Sequence, residues 1–267
     1  MRATRPRRIK LVLVFLLAVV PLSASEWRLV WSDEFNGAAN SPPDPAKWTY
    51  DLGGGGWGNR ELETYTNTRN NVFEDGEGQL VIRAFKTESG GYTSARLKTQ
   101  GKFSIAYGRI EARIKIPRGQ GLWPAFWMLG DDIASAGWPQ CGEIDIMENI
   151  GKEPALVHGT VHGPGYSASH GITAQYALPG APPLADDFHV YSVDWSPDLI
   201  RFSLDGTAYA SVTPSSLPKG AAWVYQHPFF LLLNVAVGGA WPGNPDQTTA
   251  FPQDMLIDWV RVWQRSE

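Results

Sequence analysis

Three acidic residues within six positions, Glu143, Asp145 and Glu148 in the segment GEIDIMEN, carry the strongest chemical signal in the chain. Strand alternation places Glu143 and Asp145 on one face, with Ile144 and Ile146 on the other. Continued strictly, it would put Met147 beside the acids and turn Glu148 away. A one-residue bulge near Ile146 or Met147 returns Glu148 to the face of the other two acids. Three carboxylates on one face repel each other and raise at least one pKa, a cost that is hard to explain unless a substrate or cation uses them.

Two carboxyl groups flanking a glycosidic bond are the minimum equipment for its hydrolysis, one as proton donor and the other as nucleophile or water-activating base. Strand spacing sets the Cα atoms of the two glutamates roughly 13 Å apart. Side chains leaning inward close part of that gap, so spacing leaves open both the retaining arrangement, at about 5–5.5 Å, and the wider inverting one. A solvated acidic face and a Ca²⁺ site are the competing readings. The bulky apolar neighbours and the nearby run GLWPAFWML favour a partly enclosed catalytic site. The single cysteine, Cys141, lies two residues before Glu143. Without a His and Asn or Asp constellation to activate a thiol, it reads as a small buried apolar residue.

Twelve tryptophans are a heavy load for 267 residues. Flat indole surfaces bury the apolar C–H faces of sugar rings while polar neighbours take the hydroxyls. Trp57, Trp123, Trp127, Trp138 and Trp241 lie in Gly- or Pro-rich contexts that suit a cleft. Trp195, Trp259 and Trp263 sit inside strand-like runs and read as core.

The elements that must position these residues are strands. GQLVIRAFK, GRIEARIKI, ALVHGTVHG, FHVYSVDWS, LIRFSLDG, FFLLLNVAV and LIDWVRVW alternate or are rich in β-branched residues, and Gly, Pro, Asn and Asp separate them. Helical periodicity is nearly absent, so the pattern predicts an all-β sandwich or barrel. FFLLLNVAV, almost continuously apolar, predicts a central strand covered on both faces. GGGG at 53–56, flanked by Tyr50 and Trp57, reads as a functional loop rather than a linker; SPPDP and the stretch 174–185 read as surface loops.

At the N-terminus, five basic residues, the apolar run LVLVFLLAVVPL and small residues up to Ser25 follow the order of an export signal, and the run is too short to span a bilayer. Cleavage after Ser25 leaves residues 26–267 as one expected domain, with 18 basic against 27 acidic residues, a formal charge of −9. That balance argues against nucleic acid as a partner. One cysteine excludes an intramolecular disulfide, so the fold must rest on its core.

GEIDIME, preceded by GLWPAFWMLG and WPQC, resembles the active-site region of glycoside hydrolase family 16, in particular its laminarinase-like endo-β-1,3-glucanases. The likeness continues through LVWSDEFNG, WGNRELETYT, YTSARLKTQGKFSIAYGRIEARIKIP, HGTVHGPGYS, PFFLLLNVAVGGAWPG and LIDWVRVWQ. It implies a β-jelly-roll sandwich of two antiparallel sheets with a substrate cleft on the concave sheet, and a retaining mechanism. Glu143 would be the nucleophile, Glu148 the acid/base and Asp145 their assistant. Met147 supplies the extra residue of the ExDxxE form that resembles laminarinases, agarases and carrageenases, not the shorter form of lichenases and xyloglucan transglycosylases.

The resemblance also implies substrate contacts from Asn59, Arg96, Trp123, Trp127, Trp138, His162, Asn234 and Trp241, with His162 near the acid/base. No cofactor is required for catalysis. A structural Ca²⁺ is implied at Glu34, Gly78 and Asp258, the first two through backbone carbonyls. The expected protein is a secreted monomer that binds β-glucan polysaccharide and, once the signal is cleaved, no membrane. The rival expectations are hydrolysis of agar or carrageenan galactans, and a non-catalytic β-glucan-binding protein, against which the intact acids argue.

Overall fold

In the computed structural model, Met1 and residues 26–266 are described. The expected export signal at 2–25 lies outside the described residues. Among those described, seventeen strands form two sheets. In chain order they begin β1 (Trp27–Asp33), β2 (Thr49–Asp51), β3 (Glu63–Tyr65), β4 (Val72–Glu74), β5 (Leu80–Lys86) and β6 (Tyr92–Ser94). They continue β7 (Arg96–Lys98), β8 (Gly108–Lys115), β9 (Leu122–Gly130), β10 (Glu143–Glu148), β11 (Val157–His162) and β12 (Ile172–Tyr176). They finish β13 (His189–Ser196), β14 (Leu199–Leu204), β15 (Thr207–Val212), β16 (Phe229–Val237) and β17 (Gln253–Arg265).

One sheet runs β15-β14-β13-β8-β17-β5-β6-β3, with β1 against β17 and β4 against β5; the other runs β12-β11-β10-β9-β16-β7-β2. All pairings are antiparallel except β3 with β6. The expected all-β sandwich is therefore the fold. The core lies between the sheets, where Ile110, Ala112 and Ile114 of β8 face Phe126 and Met128 of β9 and Leu231, Leu233 and Val235 of β16 in one cluster.

β16 is buried at every position, as its apolar run predicts. Its odd-numbered residues join the main core, while Phe230 and Leu232 on the opposite face pack with Leu129 and Cys141 in a second, smaller cluster. That second cluster needs a cover, and the segment carrying Ile133, Ala136 and Cys141 supplies it. Cys141 is the buried apolar residue expected, and burial pushes its thiol up to about 11.

Several elements depart from the sequence reading. Residues 174–176, read as part of a surface loop, instead belong to the edge strand β12. GLWPAFWML becomes the central strand β9 despite Pro124. Pro124 lies one residue beyond the last β10 pair, Ala125 opposite Glu148, and its carbonyl accepts from Asn149, so its missing N–H falls where the β10 ladder has ended. Trp195 is core, but Trp259 and Trp263 are only partly buried on the far face of β17, where Arg261 covers one ring and Glu111 takes the other's indole N–H.

Gly159 on β11 shows how closely the sheets meet. A Cβ there would sit 2.6 Å from the Tyr209 hydroxyl and 2.8 Å from the fully buried Phe202 ring. Gly159→Ala is expected to destabilise the protein by about 1–3 kcal/mol, the usual cost of overpacking, read as a lower urea midpoint at unchanged slope.

Candidate active site

The acids stand on β10, next to the central strand β9 of the seven-stranded sheet. Pairing with β9 sets Asp145 opposite Trp127 and Met147 opposite Phe126, leaving Ile146 as the extra residue. On the other flank Asp145 faces Thr160 and Glu148 faces His158, so three steps on β10 match two on β11. This is the expected bulge. Ile144, Ile146 and Met147 all enter the core. Glu143, Asp145 and Glu148 consequently share the sheet's opposite face.

Neighbouring strands complete that face by alternation. β9 contributes Trp123 and Trp127, β11 contributes His158, Thr160 and His162, and β16 contributes Asn234. Each glutamate is held by an indole. Trp138 Nε1 donates to Glu143 Oε2 at 2.6 Å, and Trp123 Nε1 donates to Glu148 Oε1 at 2.9 Å. His162 Nε2 lies 3.2 Å from Asp145 Oδ2. One ligand-type atom each from Glu143, Asp145 and His162 falls within 4.8 Å of the others, so this trio has the donors to hold a cation. General acid–base work uses the same atoms without one.

Burial dominates the electrostatics. It raises the Glu143 carboxyl to about 8, helped by the Asp145 charge and opposed by His162 and the Trp138 hydrogen bond. It raises Glu148 to about 7, opposed by His162 and by hydrogen bonds from Trp123 and Thr160. Asp145 is pushed well above the usual carboxylate range by burial and then by Glu148. Three neighbouring carboxyls with such shifts titrate as one set. Asp145 Oδ2 and His162 Nδ1 are buried without a hydrogen-bond partner in the protein, a cost that functional sites tolerate.

The other expected contacts divide between a rim and a supporting layer. Trp241 sets its ring edge-on to Trp123 at 5.3 Å and to His158 at 4.9 Å, extending the wall beside Glu148. Arg96 is sandwiched between Trp57 and Trp127, 5.0 and 4.6 Å from their centroids, and its Nε lies 3.0 Å from Asp51. Asn59 is at the exposed rim, and its amide donates to Glu61 at 2.9 Å. Asn234 does not line the cleft openly. It is 6% exposed, accepts from Trp127 Nε1 and donates to the Tyr65 hydroxyl, so it positions Trp127 from beneath.

Sequence reading missed Thr160, Glu61, Glu63 and Tyr65. Thr160 was within reach, because it shares the alternation of His158 and His162 on β11. Glu61 and Tyr65 gave no signal, since an irregular loop and a three-residue strand carry no usable period.

The expected calcium positions converge away from this face. β5 pairs with β17 up to Ile257 and β1 pairs from Val260, so Glu34, just past β1, and Gly78, just before β5, approach Asp258 at the junction. The Glu34 carboxylate is taken by Arg261 and Asp258 Oδ2 accepts from Arg113. That leaves the backbone carbonyls of Glu34 and Gly78 as the donors the resemblance implies, with Asp258 shared with the Arg113 guanidinium.

Trp138 is 44% exposed, which weakens its hydrogen bond relative to a buried one. Removing it in Trp138→Phe is expected to raise the Glu143 pKa further, by about 0.5–1 unit for a partly screened bond to a charged group. A carbon NMR titration of labelled glutamate carboxyls measures this directly; an unchanged or lowered midpoint would contradict the assigned role of the indole.

Comparisons with known proteins agree with this geometry. The family model "Glycosyl hydrolases family 16" matches residues 59–261. A "Beta-glucanase" from Rhodothermus marinus is 45% identical over 250 residues, covering 90% of this chain and 86% of that protein. The catalytic domain of an endo-1,3-beta-glucanase (laminarinase) from Thermotoga petrophila RKU-1 superposes with a TM-score of 0.84 at 48% identity, covering 91% of this chain and all of that one. The endo-beta-1,3-glucanase of Pyrococcus furiosus gives 0.85 at 49%, covering 94% and all of that chain. The sandwich is thus the jelly roll that the resemblance implied. With its bulged acidic strand and its two indole-held glutamates, the chain belongs to family 16 of the glycosyl hydrolases.

Proposed function

We propose that this protein is an endo-acting β-1,3-glucanase that cleaves laminarin-like β-glucans with retention of configuration. The observation that carries the reading is the single face bearing Glu143, Asp145 and Glu148, each glutamate fixed by a separate indole N–H. The similar proteins named as glucanases and laminarinases support the substrate class.

Burial opposes more than one negative charge among the three acids, so the reactive form carries one carboxylate and keeps the other carboxyls protonated. On Glu143 that charge is met by the Trp138 indole N–H and by Asp145. Glu143 attacks the anomeric carbon as the glycosidic C–O bond breaks, and Glu148 gives its proton to the departing oxygen. In the second step Glu148 takes a proton from water, the water oxygen attacks the same carbon, and Glu143 leaves as a carboxylate. Asp145 hydrogen-bonds to Glu143 and shifts its proton as the charge moves. No step needs a cofactor, in keeping with the family. A structural Ca²⁺ at Glu34, Gly78 and Asp258 would tie β1, β5 and β17 together and take no part in the reaction.

We further propose that residues 1–25 are a cleaved export signal and that residues 26–267 act as a single catalytic domain, monomeric and outside the cytoplasm. Among the described residues no helix is long and apolar enough to cross a membrane.

Mature protein incubated with laminarin, lichenan, agarose and κ-carrageenan is expected to release reducing ends from laminarin, with oligosaccharides early in the reaction. Proton NMR should show the β-anomer first. Cleavage of agarose but not laminarin would sink the glucanase reading, and an α-anomer first would sink retention. Glu143→Gln is expected to lower kcat by about 10³-fold or more while leaving the folded state intact. The rate should also fall on the alkaline side as the coupled acids lose the proton that Glu148 donates.

A further inference from the structure

A second pair of acids lies across the face from β10. Glu63, on β3, is 1% exposed. Its Oε2 accepts the Val237 amide N–H at 2.7 Å, while its Oε1 is buried with no hydrogen-bond donor in the protein. The group facing it is another carboxyl, Glu61. Burial, then Glu61, push the Glu63 carboxyl up to about 8.

Among the described residues, no cation pairs with either acid. From β16 only the Val237 backbone amide reaches Glu63. From β6 the cross-strand partner is Tyr92, whose ring lies under the Lys86 ammonium. On β7, Arg96 bears on Tyr65 and is already paired to Asp51. Lys98 is paired to Asp51 as well.

Glu61 in turn organises one wall of the cleft. Its Oε1 accepts from Asn59 Nδ2 at 2.9 Å, and its Oε2 accepts from the Tyr65 hydroxyl at 3.2 Å. The Tyr65 oxygen accepts from Asn234 Nδ2 at 3.1 Å, and Asn234 Oδ1 accepts from Trp127 Nε1 at 2.8 Å. A hydrogen-bonded chain therefore runs from Glu61 through Tyr65 and Asn234 to Trp127.

We propose that Glu61 and Glu63 are a one-proton carboxyl pair that shapes the sugar-binding wall of Asn59 and Trp127, with Glu63 as a positioning residue that holds the proton and presents it to Glu61. The proposal rests on the glucanase reading, because it assigns that wall to substrate. When the proton leaves to solvent, two carboxylates face each other with no cation to absorb the charge. Glu61 turns outward and releases Asn59 and the Tyr65 hydroxyl. The reacting acids on β10 keep their geometry, so substrate affinity falls while turnover of bound substrate does not change through this pair.

The test compares wild-type protein with Glu63→Gln, whose amide keeps an oxygen for Val237 N–H and gives Glu61 a permanent donor. KM and kcat on laminarin are measured separately from pH 6 to 9.5. Wild-type KM is expected to rise several-fold between about pH 7 and 9, with KM of Glu63→Gln level across the range and the two kcat profiles parallel. A level wild-type KM, or the same rise in both proteins, overturns the proposal.

Thermal unfolding without substrate provides an independent reading. A carboxyl raised from 4.5 to about 8 on folding contributes stability that is present below about pH 4.5 and lost as pH rises through 8. The Tm of Glu63→Gln should therefore gain on wild type from pH 5 to 9, and a constant difference overturns the pair. If laminarin is not cleaved at all, the glucanase reading fails, and the unfolding comparison still decides whether the pair holds a proton.

Discussion

Everything at the active face depends on one extra residue in β10. Strand period two cannot place residues 143, 145 and 148 on the same side of a regular sheet. Ile146 and Met147 in succession, both turned into the core, absorb the odd step. Core and chemistry are thereby coupled, because the apolar contacts of those two side chains hold the register that aims Glu148. Both flanking strands accommodate the bulge, and each then delivers its own alternating residues to the same face: Trp123 and Trp127 from β9, His158, Thr160 and His162 from β11.

Charge is distributed unevenly between the two sheets. On the far face of the ten-stranded sheet, Arg83 with Asp254, Arg109 with Asp194, Arg113 with Asp258 and Arg261 with Glu34 pair off at 2.6–2.8 Å. Partly exposed pairs of that kind contribute little stability individually. The acids of the active face stand beside one another, Asp145 buried and the two glutamates half-buried, with indole and hydroxyl donors in place of guanidinium groups around Glu143 and Glu148. Pairing them with arginines would hold them ionised and leave no group ready to give up a proton. Raised carboxyl pKa values mean that folding binds protons, so these groups weaken the fold as pH rises from the unfolded value toward 7–8.

Tryptophan does three different jobs in this architecture. Trp195 fills the core and donates to the Tyr225 carbonyl. Trp123 and Trp138 hold the carboxyls of Glu148 and Glu143, and Trp241 braces Trp123 from the side. Trp57 and Trp127 clamp Arg96, so the guanidinium offers its edge rather than its faces. A wall built this way is rigid in the free protein, because each ring is fixed by a polar bond or a neighbouring ring as well as by packing.

The sequence by itself determined the all-β class, the covered central strand β16, the acidic face of β10 with its bulge, and Cys141 as an apolar filler. Each of these is local: period two, a run of apolar residues and the extra step at Ile146 and Met147 are written within one segment. The family likeness added the jelly roll and the roles of the acids, which strand spacing alone left open. Only the tertiary structure decided which side chains meet. Trp259 and Trp263 carry a core-like pattern yet lie on the outer face, because β17 is bulged between Ile257 and Trp259 and its outer side stays uncovered. Asn234 looks like a cleft residue but is buried by Trp127 and Tyr65, which arrive from 107 and 169 positions away. Glu61 and Glu63 were invisible for the same reason. A carboxyl's proton affinity is set by what surrounds it, and their surroundings come from β16, β6 and β7, which only folding brings together.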